Sequence, residues 1–138
     1  MAKAGGLLTL LDTTTITAAV TGTAGISFPT EGIKDLLVEA AFDYGSDGTT
    51  LKVWVQTRVK GGTWRDIMTF AFTTSDATKL SKVSIAIALA AARATSDAAL
   101  ADDTILDGFL GDEVRVKYTS TGIYAGSTTI KVLGSAKY

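Results

Sequence analysis

From residue 36 onward, apolar and polar side chains alternate with a period of two, the pattern of strands with one covered face. In 36–43, Leu36, Val38, Ala40 and Phe42 share one face, and Leu37, Glu39, Ala41 and Asp43 the other. In 51–59, Leu51, Val53, Val55, Thr57 and Val59 face one way, against Lys52, Trp54, Gln56 and Arg58. Further along, Trp64, Met68, Phe70 and Phe72 share a face, and so do Val83, Ile85, Ile87 and Leu89, with Ser and Ala opposite. Val114, Val116 and Tyr118 then oppose Arg115 and Lys117, and Ile130 and Val132 mark a last strand. Before residue 36 the signal is weaker. Leu7–Leu11 is a short apolar stretch, 13–20 is β-branched, and "ISFP" is a brief strand stopped by Pro29.

Gly clusters separate these segments, and Thr, Val and Ile are abundant, as in an all-β chain with tight turns. "YGSDGTT" carries the Asp-Gly signal typical of hairpins. The sum is about eight strands in an all-β fold, an antiparallel β-sandwich or jelly roll. Residues 1–12 read as an N-terminal arm or edge strand, and 13–138 as a single β-sandwich domain. One segment breaks the pattern. "AAARATSDAALADD" (90–103) is Ala-rich and reads either as a short helix or as a long irregular loop between strands.

Composition narrows the function classes. The chain has 138 residues, 13 basic and 14 acidic, with 46% hydrophobic and 20% charged residues. Those values describe one globular domain able to build its own core. A formal net charge of −1 predicts no nucleic-acid partner held by bulk electrostatics. Cys and His are both absent, which removes disulfides, thiolate nucleophiles, the commonest general base and the commonest transition-metal ligand. No cofactor is expected. The N-terminal apolar run is four or five residues long, short of the roughly 7–15 of a signal peptide. No segment approaches the roughly 20 apolar residues of a spanning helix. The expectation is a soluble chain made in the cytoplasm, with no membrane partner.

Three features invite a chemical reading. The first, "TRVKGGTW" (57–64), resembles the Asp-box hairpin pattern, with Val59 where that motif has its Asp. The motif is structural even when intact: glycines supply the positive φ of the turn, and the Trp ring plugs the sheet edge. The second is the acidic set Asp97, Asp102, Asp103 and Asp107. Its spacing fits no EF-hand loop, so it reads as solvated loop charge, with Asp97 and Asp103 as turn caps and calcium as the alternative. Glu31, Glu39 and Glu113 supply carboxylates, but a glycosidase needs two at a set separation in a cleft, which a sequence does not show, and surface charge that discourages edge pairing is the ordinary reading of Glu39 and Glu113. No G-x-S-x-G and no phosphate loop occur. The chain is therefore expected not to be an enzyme. The third feature is aromatic. The alternation points Trp54 away from the core, to a partner, a sugar or a second buried layer, and Tyr44, Tyr124 and Tyr138 lie at loops or ends.

The motifs "SDGTTLKVWVQT", "GGTWRDIMTFAFTT" and "DEVRVKYTSTG", in this order, resemble small β-sandwich virion proteins of tailed bacteriophages. The resemblance implies a non-enzymatic virion structural protein: a capsid decoration or cement protein binding between major capsid subunits, or else a head–tail junction or tail protein. A carbohydrate-binding module is the competing class. The resemblance also implies placement on the capsid surface, with the major capsid protein as partner. Repeated modest contacts around a symmetry axis suit a homo-oligomer such as a trimer. The residues expected to make contacts are Lys3, Leu7, Leu8, Trp54, Arg93, Leu100 and Ile105. A glycan is the lesser ligand.

Overall fold

The computed structural model describes residues 6–87 and 91–138; Lys3 and Leu89 lie outside the described residues. In chain order the strands are β1 (Gly6–Thr15), β2 (Thr23–Ala24), β3 (Phe28–Pro29), β4 (Asp35–Asp43), β5 (Ser46–Asp47), β6 (Thr50–Arg58), β7 (Arg65–Phe72), β8 (Ala77–Ser84), β9 (Glu113–Thr121), β10 (Tyr124–Ala125) and β11 (Thr129–Lys137). No helix occurs among the described residues. The fold is the all-β antiparallel sandwich that the alternation predicts. One sheet has the order β1-β11-β4-β8. The other has the order β2-β9-β6-β7, with β3 also on β9, and β5 and β10 form a small two-stranded strap.

The two inner faces interdigitate as the period of two requires. Leu36, Val38, Ala40, Phe42, Ile130, Val132 and Val83 of the first sheet meet Leu51, Val53, Val55, Met68, Phe70, Val114 and Val116 of the second, all buried. Phe42 closes one end by stacking on Phe72 at 5.1 Å and meeting Tyr124 edge-on at 5.6 Å. Tyr124, expected at a loop surface, is enclosed here and donates its hydroxyl to the Thr73 carbonyl at 2.8 Å. β1 continues past residue 12 as the edge strand of the first sheet, with register shifts between Thr9 and Leu11 and between Leu11 and Thr14, and its Leu10 belongs to the core.

Three local readings change. The Asp-Gly signal does not close a β4–β6 hairpin. Asp47 and Gly48 both have positive φ (57° and 70°), but the turn carries the chain from the first sheet to the second, and β5 pairs with β10. β8 ends at Ser84, where its partner β4 begins at Asp35; beyond that point one bond, from the Ile85 N–H to the Lys34 carbonyl at 3.0 Å, continues the pairing, and Ile85 and Ile87 are exposed rather than inward. Finally, the β6–β7 ladder slips between Val55, opposite Met68, and Gln56, opposite Asp66. A bulge of this kind moves the following residues to the opposite face. Asp66 and Trp64 therefore lie on the outer face of the second sheet, whereas simple alternation groups Trp64 with Met68, Phe70 and Phe72.

Candidate functional site

"RVKGGTW" is the β6–β7 corner. Gly61 takes φ 81°, and the Gly62 N–H donates to the Val59 carbonyl at 2.6 Å. The carboxylate that the Asp-box would place at residue 59 comes from elsewhere: Asp112 Oδ2 accepts the Lys60 N–H at 2.8 Å, and the Asp112 N–H donates to the Arg58 carbonyl at 2.7 Å. The Trp64 ring is in cation–π contact with two guanidinium groups, Arg58 at 4.6 Å and Arg115 at 4.4 Å from its centroid. Such contacts fix the ring.

The Ala-rich segment is the irregular-loop alternative, and it is organised by one side chain. Asp66 is 0% exposed. Its Oδ1 accepts from Gln56 Nε2 (2.8 Å) and the Ala98 N–H (2.8 Å). Its Oδ2 accepts from Ser96 Oγ (2.9 Å) and from the N–H groups of Ala99 (3.0 Å) and Leu100 (3.1 Å). Five donors converge on one buried carboxylate, the condition under which such a charge is tolerated. The loop then follows the free edge of β7. The Leu106 N–H donates to the Ile67 carbonyl (2.8 Å), the Thr69 N–H to the Thr104 carbonyl (3.0 Å) and the Ala71 N–H to the Asp103 carboxylate (3.0 Å). An edge that would otherwise present unpaired backbone groups is thereby covered.

This layer decides where the expected contact residues lie. Trp54 is 5% exposed: the loop lies over it, and its Nε1 donates to the Leu100 carbonyl at 3.3 Å. Its outward direction was legible, but the outer face is a second buried layer, so Trp54 is not a surface anchor. Leu100 is half-buried and works through its backbone, and Ile105 bridges to Met68. Arg93 is exposed, on the rim of a cavity beside the hairpin. Leu7 is 71% exposed on the outer face of β1, whereas Leu8 packs toward the core. Trp54, Leu100 and Ile105 thus gather on the second sheet, and Leu7 and Leu8 sit on the first. Leu7, Leu37 and Leu80 lie on the outer face of the first sheet, all exposed.

The four loop aspartates do not converge. Asp97 meets Gln56 and Lys117, Asp102 meets Lys52, Asp103 meets Lys79 and the Ala71 N–H, and Asp107 caps the Ser84 and Gly108 N–H groups. Among the described residues no group of three or more acidic side chains is placed to hold a metal ion. The Gln56 amide and then the Lys117 ammonium hold the Asp97 carboxyl below its ordinary value. Burial pushes Asp103 up, but the Ala71 N–H and Lys79 together outweigh it, and the net direction is down. Burial lowers Arg115, and burial with Tyr44 nearby raises Tyr124. Neither Asp66 nor the arginine-flanked Trp64 stood out in the sequence as a point of convergence; the one signal was an acid inside the otherwise apolar run "DIMTF".

These features define a class: a small antiparallel β-sandwich with one sheet strapped by a long, hydrogen-bonded loop. No family model matches the chain, and no curated protein matches it. Among solved structures, the chain is similar to the crystal structure of the SPBc2 prophage-derived protein YomS, at 11% identity and a TM-score of 0.50, over 96% of this chain and 91% of that one. At that identity the likeness is one of fold.

Proposed function

We propose that the chain is a non-enzymatic structural protein of a phage particle, and within that class a capsid decoration (cement) protein seated between major capsid subunits. The observation that carries the reading is the fold likeness to a prophage-derived protein along nearly the whole chain, which meets the virion-protein resemblance of the motifs in 46–122. A stiff sandwich with strapped loops suits repeated docking on a shell, where each contact need only be modest because many act together. A homo-oligomer such as a trimer fits a shell axis. A head–tail junction or tail role uses the same fold and differs in stoichiometry. A carbohydrate module loses its main support, because Trp54 offers no open ring face to a sugar.

Copy number tests the reading. Quantitative mass spectrometry of purified particles, scaled to the major capsid protein, should find on the order of hundreds of copies per particle, as one interface repeated over a symmetric shell demands. A handful of copies would move the protein to a junction or tail, and absence from particles would remove the virion reading.

A further inference from the structure

All four arginines of the chain gather at one corner. Arg58, Arg65 and Arg93 line a cavity of about 530 Å³ between the β6–β7 hairpin and the long loop, and Arg115 stacks on the adjoining Trp64. Of the nine lysines, Lys52, Lys79 and Lys117 form the other ion pairs found among the described residues. The cavity has an apolar side, made by Val59, Phe109 and Leu110.

Its charge is unbalanced. Arg58 is paired with Glu113 at 3.0 Å. The lining carboxylate, Asp66, is already saturated by five donors. Arg65 and Arg93 are exposed and form no ion pair among the described residues. Two unpaired guanidinium groups thus flank an apolar pocket on a protein whose overall charge is −1. Guanidinium forks fit carboxylates with two parallel hydrogen bonds, and a pocket of this volume accepts a large apolar side chain.

We propose that this cavity is a binding site for an acidic peptide segment of another protein, with an apolar side chain on Phe109 and Leu110 and flanking carboxylates on Arg65 and Arg93. Single-stranded nucleic acid is the weaker candidate, since it needs open aromatic faces for base stacking, and the Trp64 ring already carries the Arg58 and Arg115 guanidinium groups. The inference does not depend on the virion reading: it concerns binding in solution, and the particle census neither supports nor removes it.

The test is a titration of the full ¹⁵N-labelled chain, followed by NMR at the amides of 108–111 and the Nε–H groups of Arg65 and Arg93. The probes are acetyl-Glu-Leu-Phe-Glu-amide, its Gln-Leu-Phe-Gln counterpart, and an oligothymidylate of about eight nucleotides, close to the site sizes single-strand binders use. The acidic peptide should give saturable shifts at those signals, with affinity about tenfold or more above the neutral one, the difference expected of charge-assisted hydrogen bonds. Arg65→Gln and Arg93→Gln should each weaken binding with an unchanged melting temperature, because both side chains are exposed. Arg93→Lys should recover part of the affinity. No saturation up to about 10 mM, roughly tenfold beyond millimolar affinity, would overturn the proposal. So would equal binding of the neutral peptide, or tighter binding of the oligonucleotide at the same signals.

Discussion

Asp66→Asn changes one buried atom and tests how the long loop is held. The substitution keeps the side chain's shape but replaces an acceptor with an N–H₂ donor. If the new amide nitrogen takes the Oδ1 position, it faces the Gln56 Nε2 and Ala98 donors; in the Oδ2 position it faces Ser96, Ala99 and Leu100. The better orientation still strands two donors. Gln56 cannot simply turn round, because its Oε1 accepts from Arg115 at 3.0 Å and its Nε2 also serves Asp97. Each stranded buried donor costs about 1–3 kcal/mol, so two cost about 2–6 kcal/mol. Release of the loop into water limits the loss from above, and about 2–4 kcal/mol is expected. Native-state hydrogen exchange reads this directly. Protection of the Ala98, Ala99 and Leu100 amides should fall about 30- to 1000-fold, at 1.4 kcal/mol per factor of ten, with a smaller fall at β4 and β11. Trp54, freed from the Leu100 carbonyl, should become open to a fluorescence quencher. Protection at 98–100 within about threefold of the wild type, a change under 1 kcal/mol, would refute the view that one carboxylate fastens the loop.

Three other outcomes follow from the same geometry. Trp54→Ala should destabilise the chain by about 3–5 kcal/mol in urea unfolding, as large aromatic truncations in packed layers do; a loss below about 1 kcal/mol would mean that the loop does not cover the ring. Asp97 and Asp103 sit below their ordinary value of 3.8 in the folded chain, so on acidification the unfolded chain takes up protons first. The stability they add is complete above that value and is lost as pH falls through it toward the folded values; the double variant Asp97→Asn/Asp103→Asn should flatten the fall in urea midpoint below about pH 4. Leu80→Lys, on a side chain 58% exposed, should change stability by no more than about 0.5 kcal/mol, and a larger loss together with a lower sedimentation coefficient would show that another copy covers this face.

The inner faces of the sandwich were legible because burial on one side of a strand writes itself into every second residue. Leu36, Val38, Ala40 and Phe42 are one such record, and Leu51, Val53 and Val55 another. What alternation cannot carry is a change of parity or a covering layer. The bulge opposite Val55 and Gln56 moved Asp66 and Trp64 to the outer face with no marker in the local sequence. The burial of Trp54 depends on a loop more than forty residues away, as its bond to Leu100 shows. The Asp-Gly pair marks a turn but not its destination, because turn chemistry fixes local φ and ψ and says nothing of which sheet receives the next strand. The corner cavity was illegible for the same reason: Arg58 and Arg65 flank one hairpin, whereas Arg93 arrives from the loop.

The pairing of the first long strand with the last has a consequence for synthesis. Gly6 lies opposite Ala136, and β11 sits between β1 and β4 and pairs with both. While the ribosome is still making the middle of the chain, β1 has no neighbour, and the sheet it belongs to is missing one of its two inner strands. The nascent protein must therefore carry an unfinished sheet with an exposed apolar side until residues 129–137 emerge. Folding of the first sheet then waits on its last strand and is slow in the manner of chains dominated by distant pairings.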